Sequence, residues 1–298
     1  MNRAAVVVSA SLAVGAGLFV SSQTKLHSAA PPPASSSAQE KKIAFSPSEF
    51  RPFLLEKTEQ LTANTTRQRF ALQSPEHETG LTVASCVVAK AEIDGKAVVR
   101  PYTPISLNEQ RGFVELLIKS YPAPGGLMSR HIQQLKPGQD SLEMKGPFKK
   151  LDYKANMVKK IGLVAGGTGV TPMLQVIREV LSNPADLTEL SLVFANQTEL
   201  DILLREELDA LAYLYPNFRV YYTVDKASKG WTGGVGFVSQ EMIHKRLPKP
   251  EEDCLVLVCG PKGMMEHVSG NKESQTVQGP VSGLLKQAGF KDSQVYKF

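Results

Sequence analysis

The sequence predicts two domains: an antiparallel β-barrel or sandwich, then a doubly wound α/β domain built on a parallel sheet. Three observations carry this. The chain is 298 residues long, beyond the ~100–200 residues of a usual single domain. Residues 45–147 fall into short strand-like runs with frequent breaks, the spacing of an antiparallel fold. From Ile161 onward, short apolar runs alternate with amphipathic stretches of helical period, as in a parallel sheet covered by helices.

The first residues stand apart. "AAVVVSASLAVGAGLFV", residues 4–20, is apolar and rich in small residues, follows only Arg3, and no acidic residue precedes Glu40. Its length lies at the lower edge of a bilayer span. Its composition suits a membrane anchor, a secretory signal cleaved near Ser28-Ala29-Ala30, or a mitochondrial targeting segment. "AAPPPASSSAQEKK", residues 29–42, then reads as a Pro/Ser-rich linker without core-forming residues. The expected organisation is an anchor or targeting segment at 1–28, a linker at 29–43, a barrel domain at 44–150 and an α/β domain at 151–298.

In the barrel half, "FRPFLLEKTEQL" (50–61), "TRQRFALQ" (66–73), "LTVASCVVAKAEI" (81–93), "KAVVRPYTPIS" (96–106) and "GFVELLIKSY" (112–121) read as strands. Asp94-Gly95 between two of them is a two-residue hairpin signal. One helix interrupts the series at about 127–134, where Met128, Ile132 and Leu135 share a face. Gly138 and Gly146-Pro147 bracket the last strand.

In the second half the order is strand 161–165, helix 172–182, strand 190–195, helix 201–215, strand 218–224, helix 238–246, strand 254–260 and a helix opening after Pro261. Pro172 fits a helix's first turn because that turn leaves its amide unbonded. Ligands of open α/β sheets lie at the carboxyl ends of the strands. The turn of Gly166, Gly167 and Gly169, Asp225, and Cys259-Gly260-Pro261 all fall there. A glycine-lined turn feeding a helix presents free amides at the positive end of the helix dipole, which suits a phosphate. "GGTGVTP" nonetheless lacks both the Gly-Lys-Ser/Thr ending of a P-loop and GxGxxG spacing. Alone, it reads equally as an anion site or as a tight strand-to-helix connection.

Composition narrows the function. With 42% hydrophobic and 21% charged residues, the chain can bury real cores. Lys plus Arg number 34 against 29 Asp plus Glu, a formal charge of +5. That favours an acidic partner or a membrane, and without a long basic run interleaved with aromatics it does not indicate nucleic acid. Cys86, Cys254 and Cys259 are odd in number and lack CxxC spacing, which suggests neither a disulfide framework nor a zinc knuckle. The five histidines show no ligand spacing, so no metal site is expected.

"RPYTPIS", residues 100–106, puts a guanidinium, an aromatic ring and a hydroxyl in one extended segment, with Arg100 and Tyr102 on one side. "GGLMS", residues 125–129, opens the barrel-domain helix and offers a second anion site at Ser129 and its neighbouring amides. Together they would hold a pyrophosphate, with Tyr102 against a flat ring system. A barrel carrying such a site beside a nucleotide-binding α/β half is a two-cofactor layout.

These segments, with "GFVELLIKSY", "GGTGVTPMLQVI", "FANQTELDILLREEL", "YYTVDK", "CGPKGMM" and a closing Phe298, occur in the order found in the NADH-cytochrome b5 reductase family. Residues 45–298 closely resemble that family, within the wider ferredoxin reductase type of flavoenzyme. The resemblance implies a β-barrel FAD-binding domain followed by an α/β NADH-binding domain. It implies that Arg100, Tyr102, Thr103, Leu117, Lys119, Leu127, Met128, Ser129 and Thr171 surround FAD. Arg100 and Ser129 would hold the pyrophosphate, Tyr102 would stack on the flavin and the Thr103 hydroxyl would lie near flavin N5. The glycine turn would be the family's NADH-side loop. Pro101, Tyr121, Gly126, Gly166, Gly167, Thr168, Gly169, Pro172, Gly260, Pro261, Met264 and Phe298 complete the implied cofactor-binding set.

Thr103, Lys119 and Cys259 are the implied catalytic residues. Lys119 resembles the family's lysine on the nicotinamide side, where a cation is electrostatically sensible. Cys259 would tune the nicotinamide's approach without acting as a nucleophile. Asp225 resembles the acidic residue that contacts the adenine-ribose hydroxyls and would repel a 2′-phosphate, favouring NADH over NADPH. Lys262 departs from the family, which commonly has a second proline there, and "ESQTVQGPVSG" follows it loosely. The implied activity is hydride transfer from NADH to FAD, then single-electron transfer to cytochrome b5, an acidic haem protein expected to dock against Lys149, Lys150 and Lys159. The alternatives are another acceptor (quinone, ferric chelate, ascorbate radical) or a non-catalytic nucleotide-binding membrane adaptor. "LTVASCVV" and "EHVSG" look most like the family's mitochondrial branch, so a mitochondrial membrane is expected, with the endoplasmic reticulum as the alternative.

Overall fold

Along strand β1 (Arg51–Thr62) Phe53 and Leu55 are buried while Pro52, Leu54 and Glu56 face solvent, the alternation of a strand with one face on a core. The structure, a computed structural model, describes residues 41–298. The expected anchor and nearly all of the expected linker lie outside the described residues. The Ile43 backbone bridges to Glu78. The Glu78 carboxylate in turn pairs with Lys41 and Arg111, each at 2.9 Å.

β1 pairs antiparallel with β6 (Ser141–Lys149) through residues 51–54 and with β2 (Thr65–Ala71) through residues 55–62. It thereby joins the two halves of one sheet of order β4-β3-β6-β1-β2-β5, where β3 is Ser85–Ile93, β4 Lys96–Tyr102 and β5 Phe113–Lys119. The chain leaving β4 then returns to β5: the Ile105 amide donates to the Glu115 carbonyl at 3.0 Å, and the Glu115 amide donates to the Ser106 hydroxyl at 2.6 Å. That contact brings the two outer strands together and makes the sheet a barrel. Asp94 and Gly95 both have positive φ, 51° and 69°, as a two-residue hairpin turn requires. The barrel interior is filled by Phe53, Phe70, Leu116, Ile118 and Met144, and by Met128 and Ile132 of helix α1 (Leu127–Gln134).

The second half forms a parallel sheet of order β10-β9-β8-β7-β11-β12. Its strands are β7 (Lys160–Gly166), β8 (Glu189–Asn196), β9 (Phe218–Val224), β10 (Gly234–Val235), β11 (Cys254–Cys259) and β12 (Val295–Lys297). Helices α2 (Val170–Ser182), α3 (Arg205–Leu214), α4 (Gln240–Arg246), α5 (Lys262–Val268) and α6 (Gly283–Gln287) cover it. Side chains alternate between two cores: Leu163, Ala165, Leu192 and Phe194 enter one, Val164, Val193, Val256 and Val258 the other. The first of these cores continues into the barrel, where Ala84, Ile105 and Leu117 belong to it.

One expected element is broken. The helix predicted over 201–215 is a 3-10 turn at Glu199–Asp201, an interruption with Leu204 at φ 56°, and α3 only from Arg205 to Leu214. Thr198 and Asp201 cap each other reciprocally, while Ile202 and Leu203 turn into the core. An apolar run of helical period looks the same whether or not the backbone breaks to bury it. β10, β12 and α6 are too short to give a pattern. β12 is nonetheless firmly held: fully buried Lys297 donates to the carbonyls of Asn271 (3.2 Å), Gly279 (3.0 Å) and Pro280 (2.8 Å). Three acceptors for three donors are what permit a lysine to be buried. Among the described residues, no helix is long and apolar enough to cross a membrane.

Candidate active site

From β7 the chain crosses through α2 to β8 on one side, while β11 lies against β7 on the other. Such a reversal opens a crevice at the carboxyl ends of the two strands. The glycines explain how closely its walls approach. A Cβ on Gly166 would lie 2.5 Å from the Met264 sulfur and 3.0 Å from Pro261 Cδ. One on Gly169 would lie 2.2 Å from the Cys259 carbonyl oxygen. Gly167 has φ 53°, and its Cβ position is 3.7 Å from Lys119 Nζ. The barrel's β5 lysine therefore reaches the glycine turn of the α/β domain. A Cβ on Gly260 would meet the Met264 sulfur at 2.8 Å, while Pro261, exposed, starts α5.

On the barrel side Arg100 is exposed and donates to the Val99 carbonyl at 2.7 Å. Among the described residues it has no carboxylate partner. Tyr102 is half-buried, and burial pushes its hydroxyl well above the usual phenol range, against the opposing charge of Arg100. Pro101 is exposed and Thr103 half-buried.

Gly126 precedes α1 with φ 64°, and a Cβ there would lie 2.7 Å from the Tyr121 carbonyl. The first intrahelical bond runs from the Arg130 amide to Gly126 at 2.9 Å, so the amides of Leu127, Met128 and Ser129 precede it and are free for an anion. Buried Ser129 donates its hydroxyl to the Gly126 carbonyl at 3.0 Å. The Met128 side chain lies in the barrel core, which leaves any cofactor contact to its backbone. Leu127 and Tyr121 are exposed, and Leu117 packs into the core shared by the two halves.

On the α/β side Thr171 is buried and donates to the Thr168 carbonyl at 3.0 Å, with Pro172 buried beside it in the first turn of α2. Asp225 follows β9, two strands away from the glycine turn. Burial pushes its carboxyl upward, opposed by Lys226. Burial also pushes the Cys259 thiol up to about 12, against the charge of Lys272. A thiol that weakly acidic is protonated at neutral pH and is no nucleophile. Phe298 donates its amide to the Val258 carbonyl at 3.0 Å, which continues the β11–β12 pairing to the end of β11, and its ring packs edge-on against Tyr296 with centroids 5.1 Å apart. Lys262 pairs with Glu266 at 3.7 Å.

Sequence reasoning missed three residues here. Gln175, buried in α2, accepts from the Ser85 amide at 3.0 Å and donates to the Pro104 carbonyl at 2.9 Å, spanning the two halves. Its signal was a polar residue amid the apolar run "TPMLQVI". Asn196 ends β8 buried, and the Lys272 charge acts on the Cys259 thiol; neither has a sequence signal of its own.

The donor set fits two anionic, flat-ringed cofactors. Arg100 and the amides opening α1 lie on the barrel side, the glycine turn lies on the other, and Lys119 sits where they meet. The tight glycine cradle leaves backbone, not side chains, at the crevice wall.

Comparison with known proteins matches a family to each half of the described chain. Residues 52–153 match the oxidoreductase FAD-binding domain family and residues 163–270 the oxidoreductase NAD-binding domain family. The chain is 48% identical over 263 residues to an NADH-cytochrome b5 reductase-like protein of Arabidopsis thaliana, covering 86% of this chain and 79% of that one. It is 46% identical over 255 residues to NADH-cytochrome b5 reductase 1 of Dictyostelium discoideum, covering 86% and 84%. Among solved structures, the cytochrome b5 reductase domain of Ulva prolifera nitrate reductase superposes with a TM-score of 0.75 at 33% identity, over 86% of this chain and all of that one. With a flavin-type barrel, a nucleotide-type sheet and this identity along most of its length, the chain belongs to the NADH-cytochrome b5 reductase family.

Proposed function

We propose that the protein oxidises NADH through bound FAD and passes the electrons singly to cytochrome b5. The observation that supports this reading is the approach of Lys119, from the barrel, to the Gly167 turn, whose Gly169 lies against the Cys259 end of β11; we read the flavin and nicotinamide sites as meeting there. FAD, when bound, supplies the conversion of a two-electron donor into one-electron steps. The chain supplies the rest. Arg100 and the amides of residues 127–129 hold its diphosphate, Tyr102 and Thr103 line its ring system, and Lys119 places a positive charge at the shared edge. Protonated Cys259 and Phe298 limit how the nicotinamide approaches.

The names of the relatives support cytochrome b5 as acceptor, and the exposed cations Lys149 and Lys159 suit an acidic haem protein. Lys149 is partly neutralised by its pair with Asp152, so Lys159 is the freer charge. We further propose attachment to a membrane through residues 4–20, on the strength of that segment's apolar, acid-free sequence, and a mitochondrial one on the likeness of "LTVASCVV" and "EHVSG" to that branch of the family. The test is anaerobic. The purified protein should be yellow, its flavin bands should bleach with stoichiometric NADH, and they should return on adding oxidised cytochrome b5. A colourless protein, or one indifferent to NADH, would defeat the reading, and recovery only with a quinone or ferric chelate would replace the acceptor.

Asp225 tests the nucleotide side. Asp225→Ser should raise kcat/KM for NADPH relative to NADH roughly tenfold, because a carboxylate beside the adenosine ribose repels a 2′-phosphate. Equal use of both nucleotides by the wild type would contradict this.

A further inference from the structure

Asn196, the last residue of β8, is 7% exposed, and neither its Nδ2 nor its Oδ1 has a hydrogen-bond partner. The other buried side-chain atoms without partners among the described residues are Arg67 Nε and Gln240 Oε1. Both belong to groups with other contacts: an Arg67 nitrogen lies 3.5 Å from Glu59, and Gln240 Nε2 lies 3.4 Å from His244 Nε2. Asn196 is thus the one described side chain whose whole polar group is buried and unpaired. Buried amides are normally hydrogen-bonded, so an orphaned carboxamide marks a position where something else completes it.

Its place in the fold indicates what that is. Strand alternation puts the Asn196 side chain on the face of Phe194 and Leu192, towards α2 and α3. Along the carboxyl edge of the sheet β8 lies between β7, whose last residue Gly166 pairs with Ala195, and β9, where Val224 pairs with Asn196 itself. The Asn196 carbonyl accepts the Asp225 amide at 3.0 Å. A dinucleotide reaching from the Cys259 crevice to Asp225 must cross the end of β8.

We propose that the Asn196 carboxamide is a binding residue for the middle of the dinucleotide, with Nδ2 donating to a diphosphate or ribose oxygen and Oδ1 accepting from a ribose hydroxyl. The inference rests on the NADH reading above. It makes Asn196 a residue held at a cost to the free protein, since its polar atoms are satisfied only when nucleotide binds.

That cost makes the test two-sided. Asn196→Leu, with the same branched skeleton and no polar atoms, should leave the melting temperature of the nucleotide-free protein unchanged or raised. It should also raise the Kd for NAD+, read by calorimetric titration, and the KM for NADH by about tenfold or more. Asn196→Asp, isosteric, should bind NAD+ more weakly still, because its charge faces the diphosphate. A leucine variant that melts lower but binds NAD+ as the wild type does would show a purely structural amide and overturn the proposal. Wild-type affinity in the aspartate variant would overturn it as well. A wild type that binds no NAD+ would remove the nucleotide reading and this inference with it, whereas wild-type binding that survives both substitutions removes this inference alone.

Discussion

Replacing Gln175 with leucine is expected to lower stability by about 3 kcal/mol, because it leaves two backbone groups, the Ser85 amide and the Pro104 carbonyl, without partners. Both are covered by the contact between α2 and the barrel: Ser85 is 1% exposed and Gln175 itself 8%. Water does not replace a partner there at no cost. The effect should also reach the chemistry. Gln175 holds Pro104, which directly follows the Arg100–Thr103 segment, to the helix that begins at the glycine turn. Loosening it shifts one cofactor site against the other, and a misplacement of about 1 Å can cost roughly a hundredfold in rate. Thermal melting and stopped-flow reduction by NADH would measure the two effects. Gln175→Glu keeps an acceptor for Ser85 but loses the donor to Pro104, so its melting temperature should fall by less. A leucine variant that melts like the wild type would mean that the clasp does not hold the halves together.

Gly169→Ala should be the more damaging substitution for catalysis. Gly169 has an ordinary helical φ of −62°, so backbone strain is not the reason. The reason is space. The new methyl would sit 2.2 Å from the Cys259 carbonyl oxygen and 2.6 Å from its carbon, and neither is the end of a flexible side chain. The turn after β7 and the end of β11 would have to separate, at an overpacking cost of about 3 kcal/mol. The walls of the crevice are the parts that move, so kcat/KM for NADH should fall at least about a hundredfold. Gly263→Ala is the control: it lies in α5, has nothing within 4 Å of its Cβ position, and should be neutral or stabilising by up to about 1 kcal/mol. Similar losses in both variants would mean that glycine is not required at 169 for close approach.

Much of the candidate site was legible because its residues come in contiguous motifs. Arg100 to Thr103, Gly126 to Ser129, the glycine turn and Cys259 to Pro261 each lie at the end of an element whose type the local pattern reveals. Gln175 and Asn196 were not legible as site residues. A lone glutamine on an apolar helix face, or an asparagine at a strand's end, has the same local sequence whether it is solvated, bonded across a domain boundary or left unpaired. The helix expected over 201–215 failed for a related reason. Periodicity records which residues face a core, and the left-handed break at Leu204 preserves that record while changing the backbone.

Side-chain period and turn residues were enough to read the two kinds of sheet, the Asp94-Gly95 hairpin, the position of the glycine turn before α2, and the ordered motifs that mark the family. These follow from side-chain period and turn chemistry, which act over a few residues. It took the folded chain to reveal that Ile105 and Ser106 close the barrel on β5, that Gln175 joins Ser85 to Pro104, that Lys119 reaches Gly167, and that Gly169 must lack a side chain to pass Cys259. Each of those couples residues far apart in the chain, whose distance is set by how the two sheets pack on their shared core and by nothing local to either.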